Sequence, residues 1–362
     1  MVTRNPFTPS FGIVPDYLAG RDRVLAEMAR AFENGLGDPN LATVIVGPRG
    51  SGKTALLACI GDSARDAGWL VVDTIAASGM LEDILQQSAA EASGLVEPKP
   101  EKRLTGITVG QLIGFEWAVE DAGQANWRTR MSALLDVLGE HDVGLLITVD
   151  EIDPAVDELV QLVSIYQLFV RERRNVALVM AGLPKNATDL VDDDRVTFLR
   201  RARKRFLNRI ADADARRAFR QSFEATGKEI ADDLLEKLVD AADGFPYMMQ
   251  LVGFNVWAES FGKTTVTSEH VERGLTAARE EFTENVLKST VRDMSKGDLA
   301  FARAMVDCGE ACTISEVARR MGKGANYAST YKARLLKQGV LTEHDDKTFS
   351  FAIPLFREYL AK

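Results

Sequence analysis

The sequence predicts a doubly wound α/β domain, then an all-helical domain, then a C-terminal winged helix. Three observations carry this prediction. Short apolar runs alternate with helical stretches in the first half, the strand signal stops near Asn208, and the chain from residue 291 has the order helix, helix, turn, helix, hairpin. Runs 41–46, 69–75, 143–149 and 176–181 are rich in Val, Ile and Leu without polar alternation. That pattern suits a parallel sheet covered on both faces. Segments 53–67 and 157–173 between them read as helices, and a fifth strand is expected near 196–199. Strands alternating with helices place the parallel sheet within an α/β fold. Segment 93–110 holds Gly94, Pro98, Pro100 and Gly106, and reads as a loop or small insertion.

The second domain is expected as four amphipathic helices over 214–226, 231–242, 247–261 and 268–287, the last starting after Thr265–Thr267. In the third, helices are expected at 297–308, 313–321 and 325–338. Thr313 with Glu316 has the capping-box spacing, Gly322 and Gly324 make the turn, and Gly339 ends the third helix. A hairpin follows, with strands 340–344 and 348–353 around a turn at 345–347. The three domains are placed at 1–207, 208–290 and 291–362.

Composition narrows the function classes. Of 362 residues, 46% are hydrophobic and 27% charged, which is ordinary globular usage and excludes collagen-like or disordered chains. No apolar stretch approaches the roughly 20 residues of a membrane helix. Residues 1–10 carry no signal-peptide core. The three cysteines Cys59, Cys308 and Cys312 are too few for a disulfide framework, so a cytoplasmic setting is expected. Cys308 and Cys312 lack the further ligands a zinc site needs. The net charge is −9, but residues 291–362 hold 12 basic and 9 acidic side chains, so the charge is concentrated on the first two domains. A polyanion would meet the last domain rather than the body.

The chemistry lies in two motifs. Gly47-Pro48-Arg49-Gly50-Ser51-Gly52-Lys53-Thr54 matches G-x-x-x-x-G-K-[ST], after an apolar run and before a helix. Glycines let backbone N–H groups converge on phosphate at a helix N-terminus. Lys53 is positioned for the β/γ phosphates and the Thr54 hydroxyl for Mg²⁺. The run Leu145-Leu146-Ile147-Thr148-Val149 ends in Asp150-Glu151, at the strand end where α/β sheets bind ligands. Asp150 is the candidate Mg²⁺ ligand and Glu151 the candidate polariser of the attacking water. Asp153 reads as a helix cap or solvent-facing acid.

Together the motifs resemble the AAA+ branch of P-loop NTPases, an AAA+-like parallel sheet with a helical lid and winged helix. Tyr17-Leu18-Ala19-Gly20-Arg21 is similar to the hydrophobic-hydrophobic-Gly-Arg box of STAND ATPases and origin-recognition initiator ATPases. The resemblance implies that Leu18, Gly20 and Arg21 lie near the adenine. Gly244-Phe245-Pro246-Tyr247 looks like the Gly-x-Pro lid element of STAND ATPases, implying that Pro246 approaches the nucleotide; an ordinary interhelix turn is the plain alternative. The lid stretch lacks the Arg that initiators place there, which leans towards STAND-like ATPases. The polar sensor after the fourth strand is either Lys185 or Asn186.

Within Arg200-Arg201-Ala202-Arg203-Lys204-Arg205, Arg201 or Arg205 could serve as a finger on a neighbour's γ-phosphate, or the run could be a solvated hinge. Between Gly322 and Gly339 stand Lys323, Lys332, Arg334 and Lys337 without an acid, and Asn326, Tyr327, Ser329, Thr330 and Tyr331 offer hydrogen bonds. That mixture suits major-groove docking, with Lys323, Asn326, Lys332, Arg334 and Lys337 as candidate DNA contacts and Arg319 and Arg320 extending the footprint. The expected function is a slow ATPase switch that binds ATP, ADP and Mg²⁺ and binds duplex DNA in a nucleotide-dependent way. The alternatives are a signalling ATPase whose winged helix meets a partner protein or a second copy, and a chain that holds nucleotide for structure only.

Overall fold

In the computed structural model, residues 4–10, 13–15, 17–96, 126–344 and 346–362 are described. Five parallel strands, β1 (Ala42–Val46), β2 (Leu70–Ile75), β3 (Leu145–Asp150), β4 (Val176–Gly182) and β5 (Arg203–Phe206), form a sheet in the order β2-β3-β4-β1-β5. Successive side chains of a strand point to opposite faces. Accordingly Ile45, Leu146, Ala177 and Val179 enter one core with α1 (Asp22–Asn34) and α2 (Lys53–Asp66). Val44, Ile147, Leu178 and Met180 enter the other, beneath α3 (Met80–Val96), α4 (Trp127–Glu140), α5 (Asp157–Arg171) and α6 (Pro184–Asp192). Burial of both faces explains the unbroken apolar runs in the sequence.

The fifth strand is displaced from its expected place. Residues Asp194–Arg201 form 3-10 turns with Val196 and Leu199 buried, and the strand lies within the basic run. Val196 and Leu199 have the i, i+3 spacing of a helical turn. β5 pairs only with β1 and needs no apolar sequence, and charged side chains protect such an edge from further strand pairing. The expected loop at 93–110 is also shortened, because α3 runs on through residue 96. The rest of that loop, and position 345 of the expected hairpin turn, lie outside the described residues.

The lid comprises α7 (Asp212–Ala225), α8 (Asp232–Ala242), α9 (Pro246–Glu259) and α10 (Ser268–Phe282). Thr267 and His270 form a reciprocal capping box at the start of α10. The single helix expected to residue 287 instead passes through a π turn, Thr283–Leu287, into α11 (Lys288–Asp293). The hydroxyls of Thr283, Ser289 and Thr290 each bond a carbonyl one turn back, a habit that bends helices.

The C-terminal module has α12 (Lys296–Val306), α13 (Ile314–Met321), α14 (Ala325–Lys337), the antiparallel hairpin of β6 (Leu341–Glu343) and β7 (Phe349–Phe351), and a last short helix α15 (Phe356–Leu360). The Thr313–Glu316 capping box forms as its spacing predicts. Cys312 pairs with Phe349 and adds a third short strand position, which completes the winged-helix topology. Cys308 and Cys312 are free thiols on the carbonyls of Ala304 and Met305.

Lid and winged module share one apolar core, and the N-terminus reaches into it. Phe7 is 2% exposed against Phe219 and Phe223, with ring centroids 5.9 and 5.3 Å away. A methyl group on Gly253 would stand 2.3 Å from the Phe7 ring. Asn5 donates to the Phe254 carbonyl at 3.0 Å, and the Thr8 N–H donates to the Gln250 side chain at 2.9 Å. Residues 5–8 are therefore a strap on the lid, although the chain places them with the first domain. Phe7→Ala is expected to cost about 3–5 kcal/mol, as for other buried phenylalanines. Chemical denaturation should show it as a lower midpoint, and an unchanged midpoint would remove the strap from the folded core.

Candidate nucleotide site

The phosphate loop joins β1 to α2 and is shaped by two left-handed glycines, Gly50 at φ +75° and Gly52 at φ +85°. Gly52 is the capping residue just before α2, so the loop ends at a helix N-terminus, where N–H groups and the helix dipole favour an anion. Gly50 has a second reason to lack a side chain: a methyl group there would meet the Phe245 ring at 2.8 Å. The Lys53 side chain folds back over the loop, and its ammonium donates to the Gly47 carbonyl at 3.1 Å and the Pro48 carbonyl at 2.9 Å. Lys53 is only 6% exposed. Burial lowers its pKa from the usual lysine value, against the opposing charges of Glu151 and Asp150.

Thr54, the first-turn residue of α2, donates its hydroxyl to Asp150 Oδ2 at 2.5 Å. β3 delivers Asp150 to this point because β4 stands between β1 and β3, which sets their C-terminal ends on either side of one crevice. Ligands of α/β sheets bind in such crevices. Glu151 leaves the strand with φ +51°, is exposed, and donates its N–H to Asp150 Oδ1 at 2.8 Å. A non-glycine residue at positive φ near chemistry is held there by its surroundings. Here Ile152 is fully buried against Gly182, where a methyl group would meet it at 2.3 Å. Asp153 accepts from the Ala155 N–H at 3.0 Å and so forms a turn rather than capping α5, whose capping residue is Val156.

Sequence alone leaves Lys185 and Asn186 open as the polar residue after β4. Lys185 is exposed, whereas the Asn186 amide donates to the Ile152 carbonyl at 2.8 Å, on the loop that carries the two acids. Of the two, only Asn186 is joined to the site.

The site residues fit a magnesium nucleotide. The Thr54 hydroxyl and the Asp150 carboxylate converge as hard oxygen donors, the class Mg²⁺ prefers. Ser51 Oγ is buried with no hydrogen-bond partner among the described residues, in the loop where a phosphate oxygen would accept from it. Lys53 supplies a cation and Gly50–Thr54 supply the loop and helix N–H groups.

The Leu18–Arg21 box lies at the base of the lid. Leu18 packs on the core that contains Leu56, Leu57 and Leu207. Arg21 is 9% exposed and donates to the Asn208 carbonyl at 3.0 Å, at the junction of β5 and the lid. Burial lowers its pKa, opposed by Asp214. Pro246 begins α9 and lies over Gly52, with 3.8 Å from its Cβ to the position a Gly52 Cβ would take. The Tyr247 N–H donates to the Gly50 carbonyl at 3.3 Å. The lid thus touches the phosphate loop directly. A cleft of about 910 Å³ opens where the loop, the lid turn Gly244–Pro246 and the β6–β7 hairpin face one another.

The two candidate fingers separate. Arg201 is exposed and makes no ion pair among the described residues. Arg205 is paired with Glu27 and donates to Asn40 at 2.7 Å, with its side chain 16% exposed. Arg205 is therefore committed to α1 and its neighbourhood, a correction to its expected role. It is the one residue of β5 that is not exposed, and Glu27 and Asn40 hold it there.

The candidate DNA contacts divide as well. Lys323 and Asn326 are exposed, Lys323 over the Tyr327 ring. Lys332 pairs with Glu343 at 2.6 Å over the Phe349 ring, and its side chain is only 16% exposed. Arg334 pairs at 2.9 Å with Asp298, which is fully buried. Lys337 pairs with Asp189 of α6 at 3.3 Å. All three are engaged within the chain, by acids 11 to 148 positions away in sequence. Tyr331 lies over Gly297 and is likewise packed.

Sequence reading missed four residues: Phe7, Phe245 as a contact of the loop, Asp293 as the partner of Arg49 at 3.6 Å, and Gly339, which meets Pro48. Each contact spans roughly 200 to 300 positions of sequence, so no local signal announces it.

Comparison with known proteins agrees with this geometry. Residues 17–180 match the AAA ATPase domain family, and residues 284–360 match DUF8462, a domain of unknown function. No curated protein matches the chain in sequence. Among solved structures, the Aeropyrum pernix ORC2 protein in its ADPNP–ADP complexes is 15% identical with a TM-score of 0.63, covering 97% of this chain and 94% of its own. A Walker-type ATPase of Pyrococcus abyssi is 13% identical with a TM-score of 0.67, covering 95% and 96%. Cdc6p of Pyrobaculum aerophilum is 15% identical with a TM-score of 0.50, covering 98% and 95%. Residues 17–180 thus carry the sequence of an AAA ATPase domain, and the whole chain has the fold of these ATPase structures. In fold the chain is similar to the ORC2 protein of Aeropyrum pernix and to Cdc6p of Pyrobaculum aerophilum.

Lys53→Met keeps the apolar stem and removes the ammonium. MgATP affinity is expected to fall at least about 100-fold, the scale of charge-assisted phosphate bonds, with the thermal midpoint retained. Calorimetric titration would check this, and a variant that binds like the parent would detach Lys53 from the nucleotide.

Proposed function

We propose that this chain is a slow Mg-ATP-hydrolysing switch whose winged module binds duplex DNA in a nucleotide-dependent way. The observation that carries the reading is the convergence of Lys53, the Thr54 hydroxyl and the Asp150 carboxylate at the end of the β1–α2 loop. Thr54 and Asp150 would hold Mg²⁺, which when bound neutralises charge on the transferring phosphoryl group. Lys53 and the loop amides orient the phosphates. Glu151, exposed beside Asp150, accepts a hydrogen bond from the attacking water and so aims it. The lid residue Pro246 covers the loop, and Leu18, Gly20 and Arg21 border the base side. The ADPNP and ADP of the A. pernix ORC2 structure support a nucleotide on this fold.

The DNA reading is supported by the N-terminal half of α14 and the turn before it. Lys323 in the turn and Asn326 and Thr330 on the helix are exposed, Tyr327 is 44% exposed, and Arg319 on α13 stands exposed without an ion pair among the described residues. Basic groups on phosphate and amides or hydroxyls on base edges are what major-groove docking requires. A second reading, a signalling ATPase whose winged module contacts protein, is favoured by the engagement of Lys332, Arg334 and Lys337 inside the chain.

Two measurements test the proposal. Glu151→Gln is expected to keep MgATP bound and to lower turnover by at least about 100-fold, the scale of general-base loss. Equal turnover would remove Glu151 from the reaction. Duplex binding across a salt series should separate the two readings. Replacing Arg319 and Lys323 by alanine should flatten the slope of log affinity against log salt by about one for each phosphate-bound cation removed. Binding that differs between ATP and ADP supports the DNA switch, whereas no duplex binding at moderate salt, with nucleotide-dependent association on a sizing column, supports the signalling reading.

A further inference from the structure

Three consecutive residues of the phosphate loop each touch a different part of the chain. Pro48 abuts Gly339 just after α14, where a methyl group would stand 3.0 Å from Pro48 Cβ. The Arg49 guanidinium lies 3.6 Å from the carboxylate of Asp293, the last residue of α11. Gly50 accepts the Tyr247 N–H of the lid. The winged module, the linker and the lid therefore all rest on one turn of backbone.

Only the middle contact is an ion pair, and a nucleotide brings charge to this loop. We propose that Arg49 senses nucleotide charge by exchanging the Asp293 carboxylate for a nucleotide phosphate, and that the exchange frees α11 and the winged module behind it. The inference rests on the phosphate-loop reading above. Three features carry it. The side chains are 73% and 58% exposed, so the pair is weak and replaceable by a more highly charged anion. Met294 alone separates Asp293 from Ser295, which caps α12, so motion of α11 reaches the winged module with little slack. At its other end α11 joins the π turn Thr283–Leu287, an irregularity that helices carry frequently at functional sites. Further ties from the winged module to the nucleotide domain are the surface ion pair of Lys337 with Asp189, the contact of Gly339 with Pro48, and the packing of α14 along α6.

Arg49→Gln and Asp293→Asn in the full chain should behave oppositely towards nucleotide. Both are expected to raise amide hydrogen exchange over residues 288–296 and 337–341 before nucleotide is added, and to shrink the further rise that MgATP produces in the parent. Asp293→Asn should tighten MgATP by about twofold to fivefold, because the competing carboxylate is gone, and Arg49→Gln should weaken it by a similar factor, the range set by an exposed pair. A merely structural pair would loosen exchange in both variants without splitting their affinities. Affinities that move together, or stay at the parental value, overturn the sensor. So does a parent that shows the heat of MgATP binding but no change of exchange in these segments. A parent without binding heat would overturn the phosphate-loop reading itself, and the sensor with it.

Discussion

A buried ammonium is the constraint around which this molecule is arranged. Lys53 is almost wholly enclosed and bonded to two carbonyls of its own loop, with the carboxylates of Asp150 and Glu151 nearby. A charge taken out of water is costly unless it is paired or hydrogen-bonded. The loop meets this need by curling its carbonyls inwards, which its left-handed glycines permit. The same curl turns the backbone N–H groups outwards, where an anion can use them. The anion site and the burial of Lys53 are thus two sides of one backbone conformation.

That conformation is read by the rest of the chain through contacts rather than through long pathways. The lid turn closes on Gly50 and Gly52, the box at Leu18–Arg21 braces the lid base, and the winged module rests on Pro48. Lid and winged module share a core, and the N-terminal strap is buried in it through Phe7. The proposed switch needs a few weak ties between well-packed bodies, since packed cores move as units. The surface pairs at Arg49 and Lys337 have that weakness, whereas Arg334 on buried Asp298 belongs to the interior of the winged module.

The comparison of sequence and structure turns on particular residues. β1, β3 and β4 were legible because strands buried on both faces must be apolar throughout. β5 was not, because an edge strand paired on one side carries charge without penalty, so its Arg-Lys-Arg sequence looked like a hinge. The loop glycines, Lys53, Thr54 and Asp150 were legible because phosphate and metal chemistry demands those residue types at close spacing. Arg205, Lys332, Arg334 and Lys337 looked like free cations because their acids, Glu27, Glu343, Asp298 and Asp189, lie 11 to 178 positions away.

What the sequence determined by itself, then, is much of what short-range rules govern: strand and helix periodicity, the capping box at Thr313, the phosphate-loop glycines, and the acids at the end of an apolar strand. What only the tertiary structure decided is which charges are spent inside the chain and which are left to meet a ligand. It also decided that Asn186 rather than Lys185 reaches the acid loop, and that Phe7 belongs to the lid. The physical reason is range. Periodicity and backbone conformation act over a few residues, whereas ion pairing and core packing join whichever groups the fold brings within a few ångströms, however far apart the chain has placed them.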